Sequence, residues 1–154
     1  MRRLAVHFGT PDAGWLPVEL RVGHRVRAFH ASHTPHDPVA QLVEALLCCL
    51  EGRSGEVRWQ LEPAVELWTF RTVGDACQLV VSLETGGGAA SSGTAAPGES
   101  LTISGPAVDI CTPAWRALRR LESDLVWSSP GADRAWGWPF PKTTLADLGK
   151  RIRP

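Results

Sequence analysis

The chain has 154 residues, 44% of them hydrophobic, with sixteen Lys and Arg against sixteen Asp and Glu and a formal net charge of zero. That length supports a hydrophobic core without metals or disulfides, and the balanced charge gives no single-signed field to attract nucleic acid. The longest apolar run, Val39 to Leu50, is interrupted by Gln41 and Glu44 and is too short to cross a bilayer, so no membrane partner is expected.

Met1-Arg2-Arg3 is basic, but Leu4-Ala5-Val6 gives way to His7, Gly9 and Pro11 before a signal-peptide core can form, and a cytoplasmic location is expected. Leu16, Val18, Leu20 and Val22 alternate with Pro17, Glu19 and Arg21, the period of a strand with one buried face. Gly23-His24 supplies a two-residue turn, and Arg25 to Ala31 returns as the second strand of a hairpin. Asp37 then offers an N-cap acceptor, Pro38 occupies the first helical position and Gly52 stands where a helix ends. Between them Val39, Leu42, Val43, Leu46, Leu47 and Leu50 fall on one apolar stripe.

Strand patterns follow at Val57-Trp59-Leu61, over Val65 to Thr72, and at Cys77-Leu79-Val81-Leu83 after a Gly74-Asp75 turn. From Thr85 to Ser100 the composition turns to Gly, Ala, Ser, Thr and Pro, which reads as a flexible loop within the domain. Leu101 to Ile103 and Val108 to Ile110 read as a last strand broken at Gly105-Pro106. Thr112-Pro113 repeats the cap-plus-proline start and opens a second helix, with Trp115, Leu118, Leu121, Leu125 and Val126 inward. Thr144 with Asp147 makes a capping-box-like start for a short third helix carrying Leu145, Leu148 and Ile152.

The expectation is a single α+β domain over residues 1 to 154: a mainly antiparallel sheet of about five to six strands, two amphipathic helices and a short C-terminal helix. The least generic stretch is Trp136-Gly137-Trp138-Pro139-Phe140-Pro141. It is expected to fold the third helix back onto the sheet with Trp138 and Phe140 tucked beneath. Trp136, beside Asp133 and Arg134, is expected to stay exposed and contact a partner. Trp127 either projects to the polar side of the second helix or ends it and packs under the following loop.

Chemical signals are sparse. His30, His33 and His36 are spaced every third residue and supply enough imidazole for a zinc site, but His30 lies in a strand and nothing between the others enforces convergence, so no metal is assigned. Adjacent Cys48 and Cys49 cannot close an ordinary disulfide, and with Cys77 and Cys111 they are expected as reduced thiols. Cys49 sits at the edge of the apolar stripe and Cys48 nearly opposite its centre, open to solvent or to a second layer. Gly86-Gly87-Gly88 is followed by no helix bearing Lys, and no Walker, Rossmann, nucleophile-elbow or H-E-x-x-H pattern is present, so no cofactor is expected. Arg116, Arg119 and Arg120 cluster on the second helix, with Glu122 and Asp124 spaced for internal pairing.

The order of hairpin, capped helix, Trp-bearing strands (Glu56-Val57-Arg58-Trp59 and Leu67-Trp68-Thr69-Phe70), second helix and Trp138-Pro139-Phe140-Pro141 resembles small bacterial proteins of unassigned function. In general build it is similar to immunity proteins of bacterial toxin systems. That resemblance implies a cytoplasmic α+β domain without catalytic residues, whose partner is a cognate toxin; it carries over no site residue. The zero net charge departs from the acidic balance of immunity proteins that neutralise nucleases. The expected function is a non-enzymatic protein-binding domain, monomeric or homodimeric, using Trp136, Asp133, Arg134 and Trp127. The alternatives are a metal- or thiol-dependent enzyme built on His30, His33 and His36 or on Cys48, and a self-associating structural module.

Overall fold

The computed structural model describes residues 2–85, 100–128 and 135–153. Its strands are β1 (Leu4–Phe8), β2 (Trp15–Val22), β3 (Arg25–Ser32), β4 (Gly55–Gln60), β5 (Val65–Val73), β6 (Ala76–Glu84) and β7 (Leu101–Gly105). The helices are α1 (Pro38–Leu50), between β3 and β4, then α2 (Ala107–Glu122), a 3-10 turn at Leu125–Ser128, and α3 (Lys142–Ile152). The fold is α+β, with a seven-stranded antiparallel sheet in chain order, β1-β2-β3-β4-β5-β6-β7.

One strand more than expected comes from the N-terminus, where Leu4, Val6 and Phe8 alternate for only five residues and pair with β2 in the register Leu4↔Val22 to Phe8↔Val18. Both anticipated hairpins form. Gly23 takes the positive φ that the β2–β3 turn requires. Leu101 to Gly105 is β7, whereas Val108 to Ile110 lies in the first turn of α2, which starts six residues before the expected position. Pro113 therefore sits inside the helix. It removes a donor only from Asp109, near the helix start, and the Thr112 hydroxyl bonds Val108 O at 2.6 Å in the same turn. Leu125, expected inward, is 78% exposed in the 3-10 turn.

Inward residues of all seven strands share one core with the helices. Leu16, Val18 and Leu20 of β2, Trp59 of β4, and Trp68 and Phe70 of β5 share it with Leu42 and Leu46 of α1 and Ile110 and Leu118 of α2, all buried. The Trp59 and Trp68 rings meet edge to face at 5.0 Å, and Phe29 leans on both. α1 packs on β4 and β5, while α2 spans the ends of the sheet, touching β1 on one side and β6 and β7 on the other. α3 packs on α1 and α2 rather than on the sheet, a correction to the expected docking.

The sheet is nearly parted at one seam. β3 and β4 pair only at Ser32↔Gln60, whereas every other neighbouring pair runs for at least five residues. One side-chain pair bridges the parting, and a second contact satisfies the bare edge of β4. On the core side Arg27 of β3 donates through Nε and Nη2 to the two carboxylate oxygens of Glu66 of β5, at 3.0 and 2.7 Å, and Glu66 is only 2% exposed. On the helix side Gln41 of α1 accepts the backbone N–H of Arg58 at 3.0 Å, the place a strand carbonyl would otherwise take.

The cysteines also correct the reading. Cys49 of α1 and Cys77 of β6 are paired as a disulfide, so these two are not free thiols. Topology brings a helix and a strand together that are 28 residues apart in sequence, which adjacent-cysteine logic does not foresee. Cys48 and Cys111 are free.

Candidate functional site

The aromatic C-terminal stretch is a clamp around His33. That imidazole lies between two glycines of positive φ: a Cβ at Gly14 would come within 2.4 Å of its Nδ1, and one at Gly137 within 2.5 Å of its Cδ2. The His33 backbone N–H and its Nδ1–H both donate to Gly14 O, at 2.9 and 3.1 Å, and Gly14 N–H donates to Ala135 O at 2.8 Å. Trp138 Nε1–H closes the ring of bonds by donating to His33 O at 2.6 Å. His33 thereby ties the β1–β2 loop, the end of β3 and the C-terminal segment together.

Within that clamp the two tryptophans exchange their expected roles. Trp136 is 0% exposed, packed on Trp127, and Trp127 is packed on Phe140. Trp138 is exposed. Gly137, with φ at 109°, turns the chain between them and sends the second indole outward. Trp136 and the half-buried Trp127 therefore belong to the core, not to a contact surface, and Asp133 and Arg134 lie outside the described residues. Four of the seven tryptophans, Trp59, Trp68, Trp115 and Trp136, are buried, so tryptophan content is accounted for mainly by packing.

The histidines do not converge. His33 has Nδ1 bonded and its ring pressed against Gly137, His30 lies on the solvent side of β3 opposite Pro17, and His36 stands exposed before α1. Among the described residues no three His, Cys, Asp or Glu side chains come together as metal ligands. Cys111 is buried, with its thiol directed at Leu46 O and its pKa pushed up to about 12 by burial, which leaves no thiolate at neutral pH. Cys48 and His36 border one groove from opposite ends of α1, roughly 18 Å apart by helical rise, too far for a nucleophile and its base.

That groove has a volume of about 470 Å³. It runs between α1 and the seam-side edge of β4, lined by His36, Asp37, Gln41, Glu44, Cys48 and Glu56, with Ala40, Ala45 and Gly55 as its floor. Gly55 is required there, because a Cβ would stand 2.7 Å from the Ala45 Cα and push helix and strand apart. Asp37 caps α1, accepting Val39 N–H at 3.0 Å. Burial raises its pKa, opposed by the Ala40 and Val39 amides and by the nearby Trp136 indole, whose Nε1 lies outside hydrogen-bond geometry. Glu44 and Glu56 are exposed and form no ion pair among the described residues, though Arg53 lies close enough to Glu44 to feel its charge.

A second depression has the opposite charge. Arg2, Arg3 and Leu4 at the start of β1 face Asp109, Thr112, Pro113 and Arg116 of α2. Arg3 also borders an adjoining hollow with His7 and Arg21. The pairing expected between the α2 arginines and Asp124 does not form: Asp124 accepts the Thr10 hydroxyl at 2.9 Å and the Val126 N–H at 3.1 Å. Compared with protein-family models, curated proteins and solved structures, the chain matches none of them. No helix is long and apolar enough to cross a membrane among the described residues.

Proposed function

We propose that this chain is a non-enzymatic protein-binding domain, an immunity-type protein of the cytoplasm that neutralises a cognate bacterial toxin by covering it. The observation that carries the reading is the α1–β4 groove: Glu44 and Glu56, which form no ion pair among the described residues, lie along a helix–strand junction, and elsewhere on the surface the exposed Trp138 is held by its hydrogen bond to His33 O. A tryptophan held by a hydrogen bond loses little entropy on binding, and carboxylates without internal partners are free to pair with a partner's cations. The nucleophile and metal candidates of the sequence are separated or packed away, which favours binding over chemistry as the use of this surface.

The test is co-purification of the tagged chain from its native lysate. A stoichiometric protein should accompany the wild type and be lost with Trp138→Ala or Glu44→Lys. Produced alone, that protein should arrest growth of a bacterial host, and co-production of this chain should restore it. Recovery of no stoichiometric partner, or of one that leaves growth unaffected, would defeat the toxin reading.

A further inference from the structure

The two charged depressions have the same construction. Each lies where a helix runs beside a strand edge lacking a full-length strand neighbour: α1 beside β4 at the seam, and α2 beside β1 at the end of the sheet. Their charges are opposed. The α1–β4 groove is lined by Asp37, Glu44 and Glu56, with no Lys or Arg in its walls. The β1–α2 corner is lined by Arg2, Arg3 and Arg116 against the single acidic residue Asp109. Glu44, Glu56, Arg2, Arg3 and Arg116 form no ion pair among the described residues, although Glu44 feels the charge of Arg53 at longer range. The chain as a whole is neutral, and copies approach without net repulsion.

We infer that copies of this chain associate head to tail, the acidic α1–β4 groove of one copy taking the arginine-lined β1–α2 corner of the next. This rests on reading the groove as a binding surface, and it names the occupant in the purified protein. Exposed ion pairs contribute only about 0–1 kcal/mol each, so the association is weak, dependent on protein concentration and lost in high salt. The two surfaces differ, so the contact is heterologous and repeats from copy to copy as a ring or a short chain. A toxin presenting a basic surface would compete for the same groove.

Charge reversal tests this on the purified full chain by sedimentation velocity at low and high salt. Wild-type protein should show a mass that rises with concentration at low salt and falls to the monomer in about 0.5 M salt, where screening acts within a few ångströms. Glu44→Lys with Glu56→Lys should be monomeric, as should Arg3→Glu with Arg116→Glu. All four residues are exposed, and unchanged melting temperatures would show that the fold survives. Mixing the two variants should restore association, because each then presents the complement of the other's altered surface. A wild type that stays monomeric at every concentration overturns the inference, as does association that persists in both variants or fails to return on mixing. The co-purification experiment is read from a different protein's presence, so either result can stand without the other.

Discussion

The aromatic clamp at the C-terminal end and the groove beside α1 make opposite use of the same short span of chain. In the clamp, Trp136, Trp127 and Phe140 stack edge to face, and His33 is locked between two glycine backbones. A few residues on, from His36 through Cys48, α1 carries Glu44, which with Glu56 of β4 forms no ion pair among the described residues, beside Ala40 and Ala45. The clamp has the more distinctive composition and the plainer role. The groove has an ordinary composition and the freer chemistry. Which surface can act is decided by what the neighbours have already satisfied, and residue type alone does not reveal that.

That contrast is open to direct challenge. Removing the core of the clamp should have the largest effect: Trp136→Ala empties a fully buried site and should lower unfolding free energy by about 3–5 kcal/mol in denaturant melts. A loss below about 1 kcal/mol would mean that Trp136 is not packed as described. Gly137→Ala should follow at about 2–3 kcal/mol, since it strains a residue at φ 109° and drives a methyl into His33, and the cost should shrink when combined with His33→Ala.

The seam comes next. Burial holds the Glu66 carboxyl above its usual 4.5, with Arg27 opposing the shift. The folded state thus keeps a proton that the unfolded state gives up as pH rises from 4.5 to the folded value, so stability should fall across that interval. Glu66→Gln should flatten that slope in melts taken over the acid range, while lowering stability at neutral pH by leaving Arg27 without its carboxylate. Gln41→Ala leaves the Arg58 N–H without its acceptor and should cost about 1–2 kcal/mol, with faster hydrogen exchange at that amide. The smallest effect belongs to the groove: Glu44→Lys should change stability by less than about 0.5 kcal/mol while altering association, and a large loss of stability there would erase the distinction between the two regions.

Much of the fold was legible because local rules coincide with tertiary need. Asp37, Pro38 and the stripe from Val39 onward specify α1, and Gly23 and Gly74 mark turns that form. β1 escaped notice because five residues give only three inward positions, too few to stand out as a period. The start of α2 was misplaced because Thr112-Pro113 imitates an N-terminus, while the true start at Pro106 has no side-chain cap to announce it. The exchange of Trp136 and Trp138 depends on the φ of one glycine, which sequence leaves free. The groove was not legible at all. It needs α1 set against the bare edge of β4, and nothing in the local pattern says that β3 pairs with β4 at a single position.

That single position, Ser32↔Gln60, also bears on how the chain becomes ordered. All strand pairing joins sequence neighbours, so each half of the sheet can zip from its own hairpin with little loop-closure entropy, β1 to β3 on one side and β4 to β7 on the other. Beyond that one position the halves are joined by side chains: Arg27 meeting Glu66, and the rings of Phe8 and Phe29 closing on Trp59. The molecule is in this sense two small meanders that share one core, held to each other by side chains more than by strand pairing.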